Sequence, residues 1–178
     1  MKNLKVLGGF LLILGIAIGC SPSDSETRIG TGPQLDSSLY LLASEPETSL
    51  GVREARQSVV DQDEIIVVGR IGGALNPWVD DRAAFQIVDT SLKACSDDKP
   101  EGAHTSCPTP WDYCCESDKL PTSMALVQFA DQDGKVLRQD ARSLFDVVEL
   151  QTVVVQGMAR RDDAGNLTIV ADRMFIRQ

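Results

Sequence analysis

The sequence predicts a mainly β domain of five strands, with a leading helix and a cysteine-rich insertion between the second and third strands. Three observations carry that expectation. Five runs rich in Val, Ile and Leu, several with period-two alternation, are separated by Gly, Asp, Asn and Pro. Between the third and fourth runs one stretch instead has apolar residues at i, i+3 and i+4, the helical period. Four of the five cysteines fall in residues 95–115, a polar segment with β-type sequence on both sides.

Taken in order, residues 48–60 predict a helix, with Thr48 or Ser49 as its cap and Val52, Ala55 and Val59 on one face. Residues 64–71, Glu-Ile-Ile-Val-Val-Gly-Arg-Ile, are the first strand, and Gly69, Gly72 and Gly73 mark a bend or bulge. Asn76-Pro77-Trp78 is a loop. Residues 83–88 are the second strand, with Phe85 and Ile87 on one side. Residues 124–130 are the third, with Ala125, Val127 and Phe129 facing inward. Asp131-Gln132-Asp133-Gly134 is a tight turn. It lacks the third acid and the closing Glu of an EF-hand calcium loop. Residues 141–150 are a short helix with Leu144, Val147 and Val148 on its apolar stripe. Residues 152–160 and 167–176 are the last two strands, joined by an Arg-Asp-Asp-Ala-Gly-Asn hairpin loop.

The order strand, strand, strand, helix, strand, strand, with a glycine-bent first strand, resembles the OB-fold, a small five-stranded barrel (β-β-β-α-β-β). The resemblance covers residues 64–178. It implies a ligand face over the second and third strands and the loops after strands one and four, with Trp78, Phe85, Arg160 and Arg161 as candidate contacts. Trp111 joins them if the insertion folds over that face. Val-Val-Gly-Arg-Ile-Gly-Gly, Pro-Trp-Asp-Tyr-Cys-Cys and Leu-Gln-Thr-Val-Val-Val-Gln-Gly together are also similar to a group of uncharacterised lipoproteins of planctomycete-type bacteria. That group implies no activity.

Ahead of the domain, residues 1–20 read as an export leader. Lys2 and Lys5 precede an uncharged apolar run that is too short for a membrane span. The leader ends Ala17-Ile18-Gly19-Cys20, which resembles the lipobox of bacterial lipoproteins. The resemblance implies a Cys20 that carries palmitate-type acyl chains and anchors the chain to a membrane. Ser21, in place of Asp after that cysteine, implies a periplasm-facing position on the outer membrane. Residues 21–47 are rich in Ser, Pro, Gly, Thr and acids and read as a flexible tether. Leu39, Tyr40, Leu41 and Leu42 interrupt it as a segment able to dock on the domain.

The whole chain has a formal charge of -9, and removing Lys2 and Lys5 with the leader makes it -11. From Arg53 onward 14 basic residues face 21 acids, a balance of -7. A nucleic-acid backbone is repelled by such a chain, so a nucleic-acid-binding role ranks third among the readings.

An exported chain matures where thiols oxidise, so Cys95, Cys107, Cys114 and Cys115 are expected to pair. A bond between the adjacent Cys114 and Cys115 conflicts with the usual disulfide span. Two pairings stay open: Cys95–Cys114 with Cys107–Cys115, or Cys95–Cys115 with Cys107–Cys114. The alternative is a zinc or copper site built from His104, Cys107, Cys114 and Cys115, with Cys95 in the same cluster. The His104–Cys107 spacing suits ligands, although the cysteine spacing differs from that of common zinc motifs. C-x-x-C is absent, as are the P-loop, dinucleotide, nucleophile-elbow and His-Glu-x-x-His motifs. The sequence therefore leads to a non-catalytic, lipid-anchored envelope module, binding or structural, with an envelope protein or a polysaccharide as its partner. A metal-handling or thiol-active protein is the runner-up.

Overall fold

The computed structural model describes residues 35–97 and 107–178. The lipobox Cys20, most of the tether and the insertion's His104 lie outside the described residues. The elements are β1 (Leu50–Gly51), α1 (Val52–Ser58), β2 (Glu64–Ile71), β3 (Ala84–Val88), β4 (Met124–Phe129), α2 (Ala141–Phe145), β5 (Thr152–Arg161) and β6 (Leu167–Ile176). Strands β2 to β6 close on themselves: β2 pairs with β3, β3 with β4, β4 with β6, β6 with β5, and β5 with β2. The β4–β6 pair is parallel and the others are antiparallel. This is an OB-like barrel, and β1 is an extra two-residue strand lying parallel to β2.

Alternation explains the strands. In β2, Ile65, Val67 and Ile71 point inward. In β4, Ala125, Val127 and Phe129 do so, as the sequence predicts. Phe85 and Ile87 of β3 are fully buried in the same core, whereas Val88, at the strand's end, enters a second small cluster beneath the cysteine insertion. The barrel floor is aromatic. The Phe129 and Phe145 rings lie 4.5 Å apart, and Tyr40 meets Phe129 edge-on at 5.7 Å.

Several sequence expectations are corrected. The leading helix starts at Val52, after Gly51, which makes no side-chain cap. Thr48 and Ser49 lie ahead of β1, which pairs with Val67 and Val68 and so fixes the chain before the helix begins. The Arg53 N–H is met instead by the Asp89 carboxylate at 2.8 Å. The bulge is in β6 and not in β2: Gln156 and Gly157 of β5 pair with Arg173 and Ala171, leaving Asp172 as the extra residue. A Cβ on Gly157 would stand 2.2 Å from the Val170 carbonyl oxygen, so only glycine lets β6 approach there. Helix α2 ends at Phe145, because Asp146 turns left-handed (φ 54°) and leaves Val148 exposed. That turn returns the chain to the barrel, where the Leu150 N–H donates to the Ile71 carbonyl at 2.8 Å. The tether's last part is not loose. Leu41 forms a parallel bridge with Met174, and the Met174 N–H donates to the Tyr40 carbonyl at 2.7 Å.

A four-cysteine cap on the barrel

The insertion leaves and re-enters the barrel at adjacent points. The Asp89 N–H donates to the Ser123 carbonyl at 2.8 Å, just beyond the Val88–Met124 pair. Asp89 is 6% exposed, and its carboxylate collects the Arg53 N–H, the Ser91 N–H (3.0 Å) and the Ser91 hydroxyl (2.6 Å). Burial opposes its ionisation, but these hydrogen bonds outweigh burial and hold its pKa below the usual carboxylate value.

Above this base the cap has its own apolar floor of Val88, Leu92, Ala94 and Tyr113. Tyr113 is fully buried and sits in a left-handed conformation (φ 55°). Its kink separates two short 3-10 turns, Pro110–Asp112 and Cys114–Glu116. Asp112 braces the joint: one carboxylate oxygen accepts the Cys114 N–H at 2.9 Å and the other accepts the Thr109 hydroxyl at 2.9 Å. Trp111 fastens the cap to the β2–β3 loop. Its carbonyl accepts the Gly73 N–H at 2.7 Å and its indole N–H donates to the Leu75 carbonyl at 3.1 Å. Arg70 of β2 forms an ion pair with Asp97, which also accepts the Ala94 N–H.

This folding brings the cysteines together. In an extended strand, side chains of neighbours such as Cys114 and Cys115 would diverge to opposite faces. In the 3-10 turn their Sγ atoms lie 3.9 Å apart. Cys95 Sγ lies 3.2 Å from Cys114 Sγ and 3.6 Å from Cys115 Sγ. Cys107 joins them: the Sγ atoms of Cys95, Cys107 and Cys114 and a carboxylate oxygen of Asp112 are all within 4.8 Å of one another. No disulfide bond joins these four cysteines in the structure. Cys114 and Cys115 are exposed, and Cys95 and Cys107 half-buried.

Burial opposes ionisation of Cys95, but hydrogen bonds from Cys114 and Cys115 outweigh it and lower its pKa below that of an ordinary thiol. Cys114 and Cys115 are shifted up, chiefly by their hydrogen bonds to Cys95.

The candidate ligand face of the barrel does not assemble. Trp78 is 5% exposed, packed on Phe85, with its indole N–H donating to Glu149 at 2.6 Å and the Arg142 guanidinium 5.5 Å over its ring. Phe85 is wholly in the core. The loop that would expose Trp78 is pinned inward by the Trp78–Phe85 bridge. Trp111 is committed to holding the cap. Arg161 spends its guanidinium on the Arg56 carbonyl. Arg160 is exposed and lines an open groove of about 600 Å³ with Glu64, Asp131 and Asp172. That groove shares no residue with the cap and holds more acids than bases. Sequence reasoning missed Asp112. Its position two residues before Cys114, inside Pro-Trp-Asp-Tyr-Cys-Cys, is the signal that marks it.

No protein-family model matches this chain, and neither does any curated protein.

Proposed function

We propose that the chain is a lipid-anchored envelope protein whose OB-like barrel is a non-catalytic scaffold for a metal-handling cysteine cap. The observation that carries this reading is the convergence of sulfurs from three separate stretches of the insertion: Cys95, Cys114 and Cys115 lie 3.2, 3.6 and 3.9 Å from one another, and Cys107 lies within 4.8 Å of Cys95 and Cys114. Sulfurs meeting in this way suit a soft cation, and a chain of net charge -9 attracts cations. The leader ending at Cys20 supports attachment to a membrane, with the domain facing the periplasm from the outer membrane. Metal analysis of the full chain, purified from solubilised envelope without added reductant, tests the reading. Stoichiometric metal on reduced thiols supports it, and metal-free protein overturns it.

A second reading keeps the cap as a disulfide-stapled structural element on a module that binds an envelope protein or a polysaccharide. The closest sulfur pair, Cys95 and Cys114, favours it, because that pair belongs to one of the two disulfide arrangements left open by the sequence. Two bridges would then stabilise the cap by roughly 2–4 kcal/mol each. Alkylation before and after reduction separates the two readings.

A further inference from the structure

Resting on the metal-handling reading, we propose that Cys95, Cys107, Cys114 and Cys115 form one tetrahedral four-sulfur zinc(II) site, and that Asp112 is not a ligand but the residue that positions Cys114. Two donor sets are open to the cap. One adds Cys115, which approaches Cys95 at 3.6 Å and Cys114 at 3.9 Å, to the other three sulfurs. The other takes Cys95, Cys107 and Cys114 with an Asp112 oxygen, all mutually within 4.8 Å.

Geometry and hydrogen bonding decide between them. Zinc–sulfur bonds of about 2.3 Å in a tetrahedron place the sulfurs about 3.8 Å apart. The Cys95–Cys115 and Cys114–Cys115 separations, 3.6 and 3.9 Å, already match that edge, and Cys95–Cys114 at 3.2 Å needs only to open by a few tenths of an ångström. Cys115 is therefore placed as a ligand to the same centre as Cys95 and Cys114. Both Asp112 oxygens, by contrast, are already engaged, by the Cys114 N–H and by the Thr109 hydroxyl. Each oxygen keeps a lone pair, but drawing one in to a zinc–oxygen distance of about 2.0–2.2 Å would strain the bond that orients the Cys114–Glu116 turn and with it two of the sulfurs. Carboxylates that hold ligand-bearing segments are a regular feature of metal sites.

The cap is also lopsided. Tyr113, Val88, Leu92 and Ala94 close its inner side, while Cys114 and Cys115 are exposed on the outer side. A bound ion is thereby reachable by an incoming thiol or imidazole donor, so the site exchanges its metal and does not lock it away.

The test is cobalt(II) and zinc(II) titration of the full-length, reduced protein, using the metal chlorides alone, for the wild type, Cys115→Ser and Asp112→Asn. Circular dichroism confirms that each variant keeps the β-rich fold. The wild type is expected to give the visible spectrum of tetrahedral cobalt with four thiolates. Cys115→Ser should change that spectrum to a three-thiolate pattern and weaken zinc binding more than Asp112→Asn does. Asp112→Asn should keep the four-thiolate spectrum and bind zinc about 10–100-fold more weakly. A three-thiolate wild-type spectrum, unaltered in Cys115→Ser and lost in Asp112→Asn, would overturn the four-sulfur site and leave metal handling standing. A reduced protein that takes up neither metal overturns both.

Discussion

The Trp111 carbonyl accepts the Gly73 N–H at 2.7 Å, and through this bond the cysteine cap is joined to the loop that leaves β2. The contact is close enough that glycine is needed next door. A Cβ at Gly72 would stand 2.6 Å from the Trp111 oxygen and 3.1 Å from the Tyr113 ring. Gly72→Ala is expected to push the Trp111–Tyr113 segment off the barrel, costing about 1–3 kcal/mol of stability. Hydrogen exchange should show faster exchange in the cap than in β5 and β6, and zinc affinity should fall with it. Unchanged exchange at Tyr113 and Cys114 would show that the cap is held in some other way.

Trp78 is a core residue and not a contact residue. Trp78→Ala is expected to lower the stability measured by urea unfolding by about 3–5 kcal/mol, as for other large buried side chains. Any loss of binding by that variant would then follow its loss of folded protein. A variant as stable as the wild type would move Trp78 back to the surface.

Asp89 joins helix α1 to the root of the insertion, and its contribution depends on pH. Its folded pKa lies below the ordinary carboxylate value of 3.8. Its stabilising effect is therefore fully present above that value and is lost as pH falls through the lower, folded one. Asp89→Asn should lower stability near neutral pH by about 1 kcal/mol, the difference between hydrogen bonds to a charged and to a neutral acceptor. The gap between variant and wild type should close as acid protonates Asp89. Stability curves that stay parallel down to strongly acidic pH would contradict this.

The proposed membrane attachment rests on Cys20. Cys20→Ser is expected to shift the protein from the membrane fraction to the soluble fraction and to abolish labelling by a fatty-acid probe. Labelling that persists would place the anchor elsewhere.

The barrel was legible because its strands bury one face and so must alternate: Ala125, Val127 and Phe129 declare β4 on their own. The β5–β6 hairpin was equally plain, since Asp162 and Asn166 pair across a loop in which Gly165 takes a positive φ. Strand β1 was hidden because it has two residues and no period to read. Helix α2 read too long because Val147 and Val148 continue its apolar pattern past Asp146, and the left-handed turn there serves the return to β2, a tertiary demand. In the cap, the four cysteines were visible as a set. Their convergence was not, because it depends on the kink at Tyr113 and on Asp112 holding both sides of it. Trp78 misled for a related reason: its partner Glu149 is 71 residues away.

In the proposed function the cap's sulfurs hold a metal. Intact-mass spectrometry of the full chain under native, non-reducing conditions tests it most directly, followed by chelation and alkylation. The expected mass is that of the polypeptide plus one zinc ion, with the four cap cysteines becoming alkylatable only once the chelator removes it. A metal-free mass lower by four hydrogens, with no alkylation until a reductant is added, would contradict it.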